Sequence, residues 1–275
     1  MSISVILTVY NKENLIHQVV NSILCNISEM TKEFIVVLDG CTDNSEKYLH
    51  DCLKDFNTED LKVKIIKTDD VYETRANNAG LKASNCDFSI IFQDDMVVKE
   101  KKFDKRLITP LLIYDDLFAI TARNAHGIFI KNDEIDWCDV VGGPVGDKFD
   151  NSYRIPSDFD RETLYIRMTI NRGPVAFDNK KLKLLNYFDE TLPGVITCDD
   201  HDLCLRARIK HNWKCGAFWI WYESKYEWGT TRNQSTEKSK FWDEQEQKNK
   251  KELYNRYKDV IPKLNISEIR KINRI

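Results

Sequence analysis

Three apolar runs in this 275-residue chain end on residues that could do chemistry. Residues 2–9 run into Thr8-Val9-Tyr10-Asn11. Residues 34–38 are followed by Asp39-Gly40-Cys41-Thr42-Asp43-Asn44-Ser45. Residues 88–92 are followed by Gln93-Asp94-Asp95-Met96. Asp94 and Asp95 offer hard oxygen ligands suited to Mg²⁺ or Mn²⁺, which commonly take one or two carboxylates together with substrate phosphates. Asp39 could accept hydrogen bonds from a base N–H or a ribose hydroxyl, and Tyr10 could pack on a base or ribose. Each segment alone has a plainer reading. Asp-Gly is a common turn, and paired acids after a strand can be solvated loop residues or helix caps. Their shared position weighs against coincidence, because ligands of open parallel sheets bind outside the carboxyl ends of the strands.

Such a sheet is what the surrounding pattern predicts. Residues 2–9 are β-branched and apolar, as in a buried strand, and 14–25 have helical spacing at Leu15, Val19 and Ile23. A second strand is expected over 34–38. Ser45 can cap a helix carrying Tyr48, Leu49 and Cys52 on one face. Strands at 63–66 and 88–92 flank a short helix at 76–83. Strands separated by helices imply βαβ units and a mainly parallel sheet, and fully apolar runs suit strands covered on both faces.

After Asp95 the pattern changes. A helix is expected over 103–114 and a strand over 118–122. Residues 124–157 read as irregular, and loops of that length are usually functional. Within this segment, residues 124–150, with Trp137, are a candidate wall for an acceptor pocket. Regular signals return at 173–177, 180–186, 202–210 and 217–222. Trp219 and Trp221 alternate as on one buried face of a strand. The charged segment 236–257 reads as a helix anchored by Phe241, Leu253 and Tyr257. These signals divide one continuous domain into a half at 1–98, a second half at 99–235 and a helical tail at 236–275.

Composition bounds the class. Hydrophobic residues make up 42% and charged residues 31%, as in an ordinary globular protein. The net charge of −3, from 41 basic and 44 acidic residues, lacks the basic excess of a nucleic-acid binder. The eight cysteines form no CxxC pair, so no zinc site is expected. The opening MSISVILTVY is too short an apolar stretch for a secretory signal or a membrane span. The expectation is therefore a cytoplasmic protein with reduced thiols, with contact at a membrane surface left to the tail helix.

Six segments, taken in order, resemble family 2 glycosyltransferases of the GT-A fold, from Ser2 to about Arg232. They are SVILTVYNKE, VVLDGCTDNS, TRANNAGLKAS, IIFQDDM, NRGPVAF followed by YFDE, and CDDHDLCLRAR. The resemblance implies an α/β Rossmann-like, mainly parallel sheet flanked by helices. It also implies inverting transfer of a sugar from a nucleoside-diphosphate sugar, UDP favoured, to a hydroxyl of a glycan, lipid-linked or protein-linked acceptor. By position, Thr8, Tyr10 and Asp39 would hold the nucleobase and ribose, with Arg75 and Asn77 near the nucleotide and sugar. Asp95 would be the firmest ligand to Mn²⁺ or Mg²⁺, with Asp94 beside it. Asp200 would be the general base and Asp199 the second choice. Helix geometry puts Asp199 and Asp202 on one face and Asp200 about a quarter-turn from Asp199, so only part of this cluster can face an acceptor. His201 is expected to be structural.

The chain departs from the family pattern at four places. Thr8 stands for a proline. Leu38 replaces the first acid of Asp-Asp-Gly. Gln93 replaces the first acid of the DXD motif, which leaves both Asp94 and Asp95 as candidates for its metal position. The segment from Tyr226 to Arg232 has no metal-binding His. Glu227 could substitute there, or the protein could supply fewer ligands. In the same segment Arg232 could contact the diphosphate, and Trp228 could stack on a sugar. Two other classes compete. A sugar nucleotidyltransferase would show a glycine-rich loop after the first strand, and residues 8–13 hold no glycine. An inactive nucleotide-sugar-binding protein would fit the missing His but not the acids retained at three separate sites.

Overall fold

The computed structural model describes residues 1–54, 56, 60–142, 160–225, 228, 236–264 and 266–272. Its first half alternates strand and helix: β1 (Ile3–Val9), α1 (Ile16–Leu24), β2 (Thr31–Asp39), α2 (Ser45–Lys54), β3 (Lys62–Thr68), α3 (Tyr72–Ala83) and β4 (Phe88–Gln93). The chain continues through β5 (Val97–Val98), α4 (Phe103–Ile113), β6 (Leu117–Thr121), β7 (Asn124–Lys131), β8 (Glu134–Gly142), β9 (Thr163–Arg167), β10 (Thr169–Ile170) and β11 (Val175–Asp178). Then come α5 (Asn179–Leu184), α6 (Asp199–His211), β12 (Lys214–Ala217), β13 (Tyr222–Glu223), α7 (Thr236–Tyr257) and β14 (Glu268–Lys271).

One sheet of nine strands runs through both halves in the order β14-β9-β12-β6-β11-β4-β1-β2-β3. β1 pairs in parallel with β2 and β4, and β2 with β3. β11 and β9 run against their neighbours. β1 is central because it is mainly apolar, with Ser4 and Thr8 as its polar residues, and buried along its whole length. Its register aligns Thr8 with both Val37 and Gln93, so the ends of β1, β2 and β4 lie level on one edge. The chain moves outward from β1 to β3 and returns on the other side as β4. The switch point therefore opens between β1 and β4, where the first and third polar clusters stand.

A buried acid ties the opposite edge. Glu33 Oε2 accepts from Ser4 Oγ (2.7 Å) and Asn85 N–H (2.9 Å), while Oε1 accepts from Lys64 Nζ (2.5 Å). Burial alone would raise its pKa. The Asn85 amide, Lys64 and Ser4 outweigh burial and hold it down to about 2. A depressed acid gives stability that is present above its ordinary value and lost as pH falls through the folded value. Glu33→Gln should therefore cost on the order of 1–3 kcal/mol at pH 7 in urea titrations. The difference from the parent should shrink between pH 4.5 and about 2. A pH-independent difference would show that the charge is not what matters.

Several expectations need correction. Residues 124–142 are not irregular: β7 and β8 form an antiparallel hairpin, in which aromatic and β-branched side chains support pairing despite the glycines. Residues 143–157 lie outside the described residues. The strand expected over 217–222 is split between β12 and β13, and β13 pairs with β5 apart from the main sheet. As a result Trp219 is buried while Trp221 is exposed, with the Arg161 guanidinium over its ring. Ser45 sits in the first turn of α2, where its hydroxyl receives the Lys12 N–H (2.7 Å). In α7, Leu253 and Tyr257 are buried, but Phe241 is 38% exposed. No helix among the described residues is long and apolar enough to cross a membrane.

Candidate active site

The turns after β1 and β2 hold each other in place. Asn11, at φ 48°, accepts the Thr42 N–H (2.8 Å) on its side-chain oxygen. Asp43 accepts the Glu13 N–H (2.9 Å), and Glu13 in return accepts the Asn44 N–H (3.0 Å). The polar residues of VYNKE and GCTDNS thus satisfy backbone groups that two tight turns leave unpaired. Gly40 has φ +57°, and a Cβ there would lie 2.6 Å from the Asp70 Cβ, so only glycine fits.

This scaffold sets out the first corner. Thr8 is buried at the end of β1. Asp39 spends Oδ1 on Thr68 Oγ1 and the Val71 N–H, both at 2.7 Å. Tyr10 stands at the rim, 40% exposed. Its phenol is raised by partial burial and by the nearby Asp70, Tyr72 and Asp39. Asp94 Oδ2 accepts the Tyr10 N–H (2.8 Å), and Oδ1 lies 3.5 Å from Lys12 Nζ. The buried Lys12 ammonium also donates to the Trp228 carbonyl. Burial pushes Asp94 up to about 7, with Lys12 opposing and Asp95 adding to the rise. Both Asp94 oxygens therefore have protein partners. Asp95 differs, because its Oδ1 is buried with no hydrogen-bond partner.

The second corner lies at the start of α6. Thr197 and Cys198 both have left-handed backbone, φ 62° and 63°, directly before Asp199. Asp199 is 1% exposed and accepts from Thr74 Oγ1 and Arg172 Nη1, both at 2.7 Å. Asp200 is 9% exposed and accepts the His201 N–H (2.8 Å) and the Arg172 N–H (3.3 Å). Burial raises Asp199 to about 6 in spite of Arg172. For Asp200, burial is outweighed by the charges of His201 and Arg172, and the group is held below its ordinary value. His201 is itself pushed down by burial to about 4, so at neutral pH Arg172 and the His201 amide carry that effect. Asp202 belongs to the framework: it accepts from Arg206 Nε and Tyr257 OH, both at 2.6 Å. His201 is also packed in place, with Nδ1 2.9 Å from Thr169 Oγ1 and its ring 4.6 Å from that of Trp137.

A polar chain connects the corners. Gln93 donates to Glu73 Oε1 (2.7 Å) and accepts from Arg123 Nη1 (3.3 Å). Glu73 Oε2 lies 3.3 Å from Arg172 Nη2, and Arg172 reaches Asp199. This explains the amide at position 93. A carboxylate there would face the Glu73 carboxylate at hydrogen-bond distance, whereas an amide donates to it. Glu73, Thr74 and Asn77 share one face of α3 by their spacing. Asn77 is fully buried, and neither of its amide atoms has a partner. Arg75 lies on another face, exposed, where its charge acts on Glu190. Glu227 and Arg232 lie outside the described residues. Sequence reasoning overlooked Lys12, Glu73, Thr74 and Arg172. Lys12, Thr74 and Arg172 lay within quoted motifs, and for Lys12 and Arg172 the signal was a charge next to a strand end.

Residues 4–138 match the model of glycosyl transferase family 2. That segment of the chain belongs to the family. It contains β1 to β4, the first corner and Gln93, while Arg172 and the Asp199–Asp200 corner lie beyond it. No curated protein matches the chain. Among solved structures, Staphylococcus aureus TarS 1–349 superposes with a TM-score of 0.55 at 17% identity, covering 83% of this chain and 63% of that one. A second TarS 1–349 structure, in complex with UDP-GlcNAc, gives the same TM-score, 0.55, at 17% identity over 82% of this chain and 58% of that one. GalNAc-T7 with UDP, GalNAc and Mn²⁺ gives 0.62 at 11% identity, covering 82% of this chain and 44% of that one. The chain thus spans less than two thirds of each of these three. At such identities the likeness concerns the fold, which is GT-A, with a family 2 first half.

Proposed function

We propose that the protein is an inverting glycosyltransferase that moves a sugar from a nucleoside-diphosphate sugar to an acceptor hydroxyl. The observation that carries this is the joining of two acid corners by the Gln93–Glu73–Arg172 chain. One has an unpartnered carboxylate oxygen at Asp95, and the other has the ionised, partly accessible Asp200. Thr8, Tyr10 and Asp39 line the nucleoside end, and UDP is favoured because the similar TarS and GalNAc-T7 structures hold it. The acceptor is a glycan or glycoconjugate. Asn77 remains assigned to the donor side, with Arg232 at the diphosphate; Arg75, exposed on another face of α3 and acting on Glu190, leaves that set.

Among the described residues no three His, Cys, Asp or Glu side chains cluster as a metal site. Asp95 and Asp94 nevertheless fit Mn²⁺ or Mg²⁺, because the buried Asp95 Oδ1 lacks a partner and such ions accept two carboxylates with substrate phosphates. Glu227 is the proposed third ligand. Bound there, the ion would neutralise charge developing on the departing diphosphate. Asp200 takes the proton of the acceptor hydroxyl as its oxygen bonds to the anomeric carbon. The bond from that carbon to the diphosphate oxygen breaks, and the nucleoside diphosphate leaves with the electron pair. Arg172 and the His201 amide keep Asp200 ionised and oriented for this step.

The test is nucleoside diphosphate release from a panel of nucleotide sugars with Mn²⁺. Turnover of at least one donor is expected, and no turnover or binding of any donor would sink the proposal. UDP with Mn²⁺ should also raise the melting temperature, since a ligand at 100 times its Kd stabilises by about 2.7 kcal/mol. Asp95→Asn should remove the Mn²⁺-dependent part of that shift. An unchanged shift in the variant would place the metal elsewhere.

A further inference from the structure

The C-terminal helix reads from its sequence as a charged segment anchored by Phe241, Leu253 and Tyr257. Its packed face also carries buried polar residues. Gln245, Asn249, Leu253 and Tyr257 recur every four residues and are all buried. Asn249, 1% exposed, is enclosed by the loop that leads into the acid pair. Its Oδ1 accepts the Gly194 N–H (2.7 Å). Its Nδ2 lies within donating distance of three carbonyls: Ile196 (2.8 Å), Thr197 (2.9 Å) and Gly194 (3.2 Å). A Cβ on Gly194 would meet the Gln245 carbonyl at 2.2 Å, so helix and loop are in direct backbone contact. One turn past the acids the same helix grips again, through Tyr257 and Arg256 on Asp202. The helix thus holds the chain on both sides of Asp199–Asp200.

The held loop needs holding. Thr197 and Cys198 are two consecutive non-glycine residues in left-handed backbone, a conformation that persists only where its surroundings impose it. We propose that Asn249 is a positioning residue for Asp200: by pinning the 194–197 carbonyls and amide it fixes the turn that aims the Asp200 carboxylate at the acceptor. The proposal rests on the reading of Asp200 as the base. It extends the catalytic apparatus to a helix outside the family-matched segment.

The test uses the full chain and the donor that the panel shows to be turned over. Asn249→Ala should lower kcat by about 10- to 100-fold, the scale of a misplacement near 1 Å. The Kd for UDP with Mn²⁺ should change by less than about threefold, because the first corner is untouched. Combined with Asp200→Asn, Asn249→Ala should lower kcat little further, since two changes acting through one group are not additive. Asn249→Ser, which puts a shorter hydroxyl donor and acceptor in place of the amide, should be intermediate, and it carries the test if the alanine variant does not fold. An unchanged kcat overturns the proposal, as does an equal fall in the Asp200→Asn background. Full turnover by Asp200→Asn alone refutes the base reading and takes this proposal with it.

Discussion

Asp200→Asn should leave the protein folded and donor binding intact, and should lower sugar transfer by about 10²–10⁴-fold, the usual contribution of a general base. The amide keeps the size of the carboxylate. Its oxygen can still accept the His201 N–H now held at 2.8 Å, so the start of α6 should not move. The proton acceptor is lost, together with the long 3.3 Å acceptance from the Arg172 N–H. The nucleoside end of the site lies on β1, β2 and β4, so the Kd for UDP should stay within about threefold of the parent. Asp199→Asn is the instructive comparison. Asp199 is enclosed by Thr74 and Arg172, and its change should act on stability more than on the chemical step. Steady-state kinetics on both variants decide between the two acids. Full transfer by Asp200→Asn with loss in Asp199→Asn would reverse the assignment.

Arg172→Met should destabilise the fold by about 3–5 kcal/mol, because removing one partner of a buried ion pair strands the other charge. The guanidinium touches Asp199 at 2.7 Å and Glu73 at 3.3 Å. The sign of the pH dependence follows from Asp199. Its folded pKa, about 6, already lies above the ordinary 3.8, so the folded state binds more protons than the unfolded chain in that window. Without Arg172 the rise should be larger. The variant's deficit, measured by urea unfolding, should then shrink as pH falls from 7 toward 5. Adding Asp199→Asn should restore part of the loss at pH 7. A cost below about 1 kcal/mol for Arg172→Met would show that water, rather than the arginine, compensates these acids.

The first corner was legible because it is local. Each of its residues follows an apolar run, and in a parallel sheet the end of such a run is also a place in space. Tyr10, Asp39 and Asp94 therefore meet at one edge by topology alone, and the family motifs marked them individually. The first four strands and the helices between them could be read for the same reason, while the paired acids of α6 were marked by the family resemblance. The β7–β8 hairpin was missed because its signal depends on cross-strand partners, which a scan along the chain does not see. Trp221 was misplaced because the alternation around it continued after the strand had ended.

What only the tertiary structure decided is how each polar group is used. By resemblance the sequence favours Asp95 over Asp94 as the metal ligand; folding gives Asp94 to Tyr10 and Lys12 and leaves an Asp95 oxygen without a partner. It marks Asp199, Asp200 and Asp202 as one cluster; folding buries Asp199 against Arg172, ties Asp202 to α7, and leaves Asp200 as the most accessible of the three. These distinctions come from partners 27 to 125 residues away in the chain, such as Arg172 and Thr74 for Asp199. Composition and spacing identify donors and acceptors. Which of them is paired, desolvated or left over depends on distances that exist only once the sheet and α7 have closed around the site.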